Sequence, residues 1–272
     1  MLNNPSFDFF LKETSKIYPV SHALWRVWEY FEILNQQFEY PLLELGCGDG
    51  RFLSIILNSP SRKGEAGEIY GIDPNSVDCN SARKSNLYKE VLCSSSHKMP
   101  FEAEKFRMVF SNCVLEHIPE LEETFLEVNR VLKPGGIFFF TALSDFYPEN
   151  LFYVYLFRKL KLNFLSNLYV KFVDNILKHY NCLSGEKWTE LLNNSGFNVK
   201  SIKYTHSSKY LKIFDVLMAL SSFQYLMAKA LCKVPFPSLN RLMISSIVKN
   251  TIKDEYRLVE GANVNIVAEK VK

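Results

Sequence analysis

Between a short apolar run and a segment of helical spacing the chain reads Glu44-Leu45-Gly46-Cys47-Gly48-Asp49-Gly50, an acidic residue and three alternate glycines. Glycine tolerates positive φ and lets a ligand approach the backbone, and the first turn of a following helix carries N–H groups with no partner inside the helix. The run PLLEL before this bend reads as a strand, and RFLSIILNS after it returns to helical spacing through Phe52, Ile55 and Ile56. A second strand, EIYGID, follows the polar loop SRKGEAGE, and a helix rich in Ser, Arg and Lys leads to a third in YKEVLCSS. Two β-α units in succession predict parallel strands. Phe106–Cys113 reads as a fourth strand, Leu121–Leu132 as an amphipathic helix and KPGG as a turn. IFFFTA is a fifth strand, apolar without a break as expected for one buried on both faces.

The flanks differ from this core. The first forty residues place Leu24, Val27, Trp28, Phe31 and Leu34 on one helical stripe that Pro41 ends. After Ser144 the alternation stops: Leu151–Asn181 reads as one or two aromatic-rich helices, EKWTELLNNSG as a helix ended by Gly196, and FNVKSIKYT as a strand. His206–Leu258 is mostly helical, punctuated by Pro235 and Pro237, and GANVNIVAEKV closes as an alternating strand. The expected organisation is one α/β domain over residues 1–272, with a helical entry segment at 1–40, a cofactor-binding core at 41–145 and helical insertions at 151–181 and 206–258.

At 272 residues, 47% hydrophobic and 22% charged, the chain can bury a substantial core, which excludes disordered and fibrous classes. The cysteines Cys47, Cys79, Cys93, Cys113, Cys182 and Cys232 form no C-x-x-C pair, and MLNNPSFDFF lacks the pattern of a signal peptide, so a reducing, cytoplasmic location is expected. The longest apolar stretch, Ile213–Ala228, is interrupted by Asp215 and Gln224 and is shorter than the roughly 20 residues of a membrane span. The net charge of +3 is segregated. Leu151–Asn181 has five Lys/Arg against one Asp and His206–Leu258 eight against three, which leaves 19 basic and 25 acidic residues elsewhere. A nucleic-acid binder carries a dense Lys/Arg stripe, so no nucleic-acid partner is expected.

The glycine bend by itself fits a nucleoside site or a tight strand-to-helix connection, and its third glycine comes one residue earlier than in the dinucleotide pattern G-x-G-x-x-G. Asp73 ends the second strand, where a carboxylate can accept from both hydroxyls of a ribose or cap a helix starting at Pro74.

LLELGCGDGRF, GIDPNS and HKMPFEAEKFRMVFSNCVLEHIPELEETFLEVNRVLKPGGIFFFTA resemble, in order and spacing, the class I S-adenosylmethionine-dependent methyltransferases. The resemblance runs from about Trp25 to Ala142 and resumes at about Glu186–Lys200. It implies a Rossmann-like, seven-stranded, mostly parallel sheet with the last strand antiparallel, helical insertions after strands five and six, and S-adenosylmethionine over the ends of strands one, two and four. It implies Glu44, Gly46, Gly48 and Gly50 around the methionine moiety, Asp73 on the ribose and Ser95 and Ser96 beside the adenine, with Cys47, Pro74 and Asn112 also in the cofactor site. Family members usually place an Asp where Ser95 stands; a hydroxyl is a neutral, weaker acceptor, so adenine contact is looser or is made by Ser96 and His97.

Arg26 on the entry helix suits the methionine carboxylate, because a guanidinium can bind two oxygens at once; the alternative is a surface arginine beside a core Trp25. Methyl transfer from a sulfonium is an in-line displacement, in which alignment contributes more than an elaborate catalytic set. A base is needed only where the acceptor loses a proton. His117 in LEHIP is the first candidate, or a histidine that orders its loop; His179 and Tyr180, ending the first insertion, are further candidates. No His/Cys/Asp/Glu cluster has metal-ligand spacing, so no metal is expected, and Cys47 and Cys113 read as packing residues. Apolar runs edged by cations, as in LFYVYLF followed by Arg158, Lys159 and Lys161, suit a lipid-linked acceptor or an anionic inner membrane face, or helices that pack on each other as a lid. The expected activity is methyl transfer to a small-molecule or lipid- or glycan-linked acceptor. The alternatives are an S-adenosylmethionine-binding protein without catalysis and a nicotinamide-dependent oxidoreductase.

Overall fold

The structure is a computed structural model that describes residues 5–271 except 63, 64, 66, 232, 256 and 257. Cys232 and parts of the SRKGEAGE loop and of the second insertion therefore lie outside the described residues. Seven strands form one sheet: β1 (Leu42–Leu45), β2 (Ile69–Asp73), β3 (Glu90–Cys93), β4 (Phe106–Asn112), β5 (Leu132–Leu143), β6 (Phe197–Thr205) and β7 (Asn263–Lys270). Their order is β3-β2-β1-β4-β5-β7-β6. The first five pair in parallel, and β7 runs antiparallel between β5 and β6. The fold is thus the mostly parallel, Rossmann-like sheet with a reversed last strand.

The strands of the core are short and apolar because helices cover both faces. On β5, Phe138 and Phe140 pack with Phe125 and Trp188 on one side, while Phe139 packs with Phe110 and Phe38 on the other. The KPGG segment expected as a turn lies inside β5. Gly135 adopts a φ of +73°, and the pairing shifts between Phe106/Leu132 and Met108/Ile137, so the extra residues form an irregularity within the strand.

Helices α1 (Pro5–Ile17) and α2 (Val20–Leu34) precede the sheet. Helices α3 (Arg51–Leu57), α4 (Ser76–Arg83) and α5 (Leu121–Val131) follow β1, β2 and β4. The first insertion comprises α6 (Phe146–Glu149), α7 (Phe152–Lys159) and α8 (Asn163–Leu177), and α9 (Gly185–Asn194) leads into β6. The second insertion comprises α10 (Ser208–Leu231) and α11 (Pro237–Thr251).

At 24 residues, α10 is long and apolar enough by length and composition to cross a membrane, longer than the apolar run in the sequence indicated. The two polar residues that interrupt that run are buried ties within the protein. Asp215 accepts from the Tyr153 N–H at 3.1 Å and from the Tyr169 hydroxyl, joining α10 to α7 and α8. Gln224 accepts from the Val20 N–H at 2.8 Å and donates to Asn240 Oδ1 at 2.7 Å, joining α10 to α2 and α11.

Candidate active site

The C-terminal ends of β1, β2 and β4 meet above the glycine bend. Gly46, Gly48 and Gly50 have φ of +75°, +51° and +78°, the left-handed region in which a side chain is strained. A Cβ at Gly46 would lie 2.4 Å from Val114, so the bend passes directly under the loop after β4, whereas a Cβ at Gly48 would point into open space. Gly48 N–H donates to Asp73 Oδ2 at 2.9 Å, and the Asn75 N–H donates to Asp73 Oδ1 at 2.8 Å. Two backbone donors therefore orient the carboxylate and leave acceptor sites on both oxygens. The cap of α4 is Asn75, which accepts from the Val77 and Asp78 N–H groups, so the helix begins at Ser76 and capping is not the task of Asp73.

Beside this carboxylate lies a groove of about 370 Å³, lined by Gly46, Asp73, Pro74, Ser95 and Ser96 among the expected residues. That volume falls within the roughly 300–1,000 Å³ of pockets for drug-sized ligands. Val114, His117, His97 and Glu120 line it as well. Ser95 Oγ lies 3.4 Å from His97 Nε2, Ser96 Oγ 2.8 Å from Thr124 Oγ1, and His97 Nδ1 3.8 Å from Glu120 Oε2. An acid thus borders the groove near Ser95 after all, from the turn before α5 rather than from the end of β3.

Glu44, Cys47, Gly48 and Gly50 support the groove from below and are not among its lining residues. Glu44 is buried and accepts from the Tyr88 hydroxyl. Burial pushes its carboxyl up to about 8, with Asp73 and Asp49 adding to the rise against the Tyr88 hydrogen bond. Cys47 packs against Gly71, and burial pushes its thiol up. The residue opposite Glu44, Tyr88, carries no motif that sequence alone would mark.

A second, smaller chamber of about 130 Å³ adjoins the groove, and Cys113 and His117 line both. Its walls come from five parts of the chain: Trp25 and Arg26 of α2, Glu116 and His117 after β4, Leu143 at the end of β5, Tyr147, Leu177 and His179 of the first insertion, and Phe214 of α10. Arg26 is therefore not a free surface arginine. Its Nη1 contacts Glu29 Oε2 at 2.7 Å, and its guanidinium lies 5.0 Å from the Phe52 ring centre. Glu29, fully buried, also accepts from Asn112 Nδ2 at 3.0 Å and from Cys113 Sγ at 2.7 Å. Asn112 Oδ1 in turn accepts from Thr141 Oγ1 at 2.9 Å. Asn112 so reaches the site through Glu29 and is not among the residues lining the groove. Cys113 is held as a thiol: burial first, then Glu29 and Glu116, push its pKa well up.

The histidine geometry is specific. His117 Nδ1 lies 3.1 Å from the Lys178 carbonyl, which can only accept, so Nδ1 carries the proton and Nε2 keeps its lone pair. Burial lowers its pKa. His179 is 5.3 Å from His117 between ring centres, and its Nδ1 lies 3.4 Å from Asp174 Oδ1. Burial lowers it to about 4, with His117 contributing in the same direction. Tyr180 is not brought to the chamber: its side chain is 59% exposed, and its N–H donates to the Glu116 carbonyl at 2.7 Å. Sequence reasoning passed over Glu116, Tyr147 and Phe214, of which only Glu116 had a local signal, its place beside His117.

Known proteins share parts of this sequence and this fold. Residues 43–140 match a family model described as a methyltransferase domain. A 24-methylenesterol C-methyltransferase from Arabidopsis thaliana is 35% identical over 103 residues, 36% of this chain and 27% of that protein. The first curated relatives are matched over only 19–36% of their own length. Among solved structures, an S-adenosylmethionine-dependent methyltransferase from Thermotoga maritima aligns over 89% of this chain and 87% of its own at 18% identity and a TM-score of 0.52. A geranyl diphosphate methyltransferase in complex with S-adenosylmethionine aligns over 92% and 90% at 14% identity and a TM-score of 0.56. The chain shares the Rossmann-like fold of these methyltransferases, and its residues 43–140 match a methyltransferase domain.

Proposed function

We propose that the protein transfers a methyl group from S-adenosylmethionine to an acceptor seated in the adjoining chamber. The observation that carries this reading is the wall of Cys113 and His117 shared by the groove and the chamber, which makes the two cavities neighbours. When bound, S-adenosylmethionine supplies a sulfonium methyl group open to in-line displacement. Asp73 accepts from the ribose hydroxyls, the bend at Gly46–Gly50 lets the methionine moiety approach the backbone, and Ser95 and Ser96 border the adenine. Glu120 takes over the acceptor role for the exocyclic amine that Ser95 fills weakly. Arg26, which lines the chamber and not the groove, is held by Glu29 and offers its remaining donors to a methionine carboxylate that reaches past the shared wall of Cys113 and His117. His117, neutral and with a free Nε2, receives a proton where the acceptor must lose one, and His179 is the alternative proton acceptor.

Calorimetry with S-adenosylhomocysteine, followed by transfer of labelled methyl from S-adenosylmethionine to lipid-extract and water-soluble acceptor pools, tests this. Micromolar binding and label in one pool are expected. Binding without label in either pool would point to a protein that has lost catalysis, and binding of NAD alone to an oxidoreductase.

The exposed helices favour an amphipathic acceptor met at a membrane face. Phe164, Leu168, Phe172 and Ile176 stand four residues apart along α8, each more than half exposed. Lys159, Lys161, Lys171 and Lys178 flank them, while Arg158 pairs with Glu149 of α6, and Asp174 is the one carboxylate of residues 151–181. Apolar faces edged by cations match an anionic bilayer, at about 1 kcal/mol per cation near the surface. The Arabidopsis relative is named for a sterol substrate, which agrees with an apolar acceptor. Co-sedimentation with phosphatidylglycerol vesicles at low salt is expected to bring down most of the protein. Lys159→Glu/Lys161→Glu should cut that fraction about tenfold, and equal sedimentation with phosphatidylcholine vesicles would contradict the charge argument.

A further inference from the structure

The chamber contains a carboxyl group with one oxygen left without a donor among the described residues. Glu116, in the 3-10 turn Leu115–His117, lines the chamber with its side chain buried, and its Oε2 has no hydrogen-bond partner among the described residues. A buried acceptor without a donor forfeits its hydration, and a native site that keeps one has a use for it.

The other polar groups nearby are paired, except that His179 Nδ1 and Asp174 Oδ1 face each other at 3.4 Å without a hydrogen bond. Arg26 is paired with Glu29, Glu29 also receives Asn112 and Cys113, and the imidazoles of His117 and His179 are neutral. Cys113 and Cys182, whose thiols burial pushes up, add no charge. His22 lines the mouth. Among the described residues Glu116 is the one carboxyl of the chamber lining; Arg26, engaged with Glu29, is the cation of the same lining and Cys113 hydrogen-bonds the Glu116 side chain, which still leaves Oε2 without a donor.

Aromatic rings form much of the remaining wall. Trp25 lies 5.8 Å from Tyr147 in an edge-on arrangement and 4.9 Å from Phe214, while His206 stacks on Trp25 at 4.0 Å. His206 Nε2 donates to the Trp25 carbonyl at 3.0 Å and fixes that residue. Rings placed around a small space attract a cation through their faces, the physical basis of ammonium recognition by aromatic cages. The chamber's 130 Å³ is below the roughly 300–1,000 Å³ of a drug-sized pocket, so it takes a small head and leaves any tail outside.

We propose that this chamber binds a small primary or secondary amine as its ammonium ion, with Glu116 as its counter-charge and Trp25, Tyr147 and Phe214 as its walls. The binding stands on the chamber alone; its catalytic meaning rests on the methyl-transfer reading above. In that reaction the ammonium proton passes to the Glu116 carboxylate, which for an amine acceptor takes the role given above to His117. The lone pair it frees on nitrogen forms the new N–C bond, and the S–C electrons stay on sulfur, which leaves as the neutral thioether.

The test is calorimetric titration of the whole chain with n-propylammonium chloride and with n-propanol, at pH 7, with and without S-adenosylhomocysteine. Two buffers of different ionisation heat report protons. Burial raises the Glu116 carboxyl to about 8, so it is protonated at pH 7 and should release close to one proton as it pairs with the ammonium. The expected result is saturable amine binding at least tenfold tighter than that of the alcohol, with proton release. Glu116→Gln should lose both the tenfold preference and the proton release while keeping its affinity for S-adenosylhomocysteine. Amine binding no tighter than that of the alcohol in the unaltered protein overturns the proposal whether or not the variant folds, as does a variant that retains preference and proton release. If S-adenosylhomocysteine fails to bind, the reading of the groove falls, and the titrations without it still decide the chamber. Ethanolamine and phosphatidylethanolamine vesicles, used as separate competitors, distinguish a free amine from a lipid head: displacement of propylammonium by either supports the proposal and names the source.

Discussion

Asp73→Ala is expected to lower S-adenosylhomocysteine affinity about 100-fold or more. Each hydrogen bond to a charged group is worth about 1.5–3 kcal/mol, and a ribose offers two hydroxyls to this carboxylate. Two such bonds correspond to at least a hundredfold in Kd, since 1.4 kcal/mol is a factor of ten. The substitution also removes the acceptor that Gly48 and Asn75 share, which loosens the glycine bend against the end of β2. Asp73→Asn separates the two effects. It keeps one acceptor oxygen for the backbone and should recover part of the loss. Full affinity in Asp73→Ala, read by calorimetry, would show that the ligand's hydroxyls are bound elsewhere.

The second large effect is expected at Glu29, where Glu29→Ala should destabilise the protein by about 3 kcal/mol, the lower end of the cost of breaking a buried ion pair. The side chain is fully buried, and its removal leaves Arg26, Asn112 and Cys113 without their common acceptor. The low end applies because Arg26 retains 24% of its side-chain exposure and can recover some hydration. Burial pushes the Glu29 carboxyl up, but Arg26 and the hydrogen bonds from Cys113, Arg26 and Asn112 outweigh it and hold the pKa below its ordinary value near 4.5. A carboxyl with a lowered pKa contributes stability above its unfolded value and loses it as pH falls through the folded one. Urea unfolding of the unaltered protein should therefore weaken below about pH 4.5. Glu29→Gln should be less stable at pH 7 and show a shallower acid limb. An unchanged acid limb in that variant would mean that other carboxylates dominate it.

Both predictions concern residues whose legibility in the sequence differed. Asp73 could be singled out because its role follows from local order: a strand end, one β-α unit after a glycine bend. Glu29 was visible only as a polar residue near Trp25 and Arg26. Its partners Asn112 and Cys113 come from the end of β4, more than eighty residues away, and no spacing rule links a helix that precedes the sheet to a strand in its middle. The same holds for the chamber. His117 and His179 could be named as candidates, but that their rings lie 5.3 Å apart, and that Lys178 fixes the proton of His117, depends on how α8 ends against the turn after β4. Tyr180 illustrates the converse: one position beyond His179, its side chain faces away from the chamber.

The α/β alternation, the parallel core and the nucleoside-type bend were determined by the sequence itself. They arise from periodicity, from glycine's access to positive φ, and from short connections that act between neighbours in the chain. What only the tertiary structure decided is the acceptor side. There α2, the loop after β4, the first insertion and α10 converge, and which of their polar groups are paired or left alone depends on packing between segments up to about two hundred residues apart. Burial sets the charge state of Glu116, Cys113 and His179, and burial is a property of the assembled fold rather than of any stretch of chain.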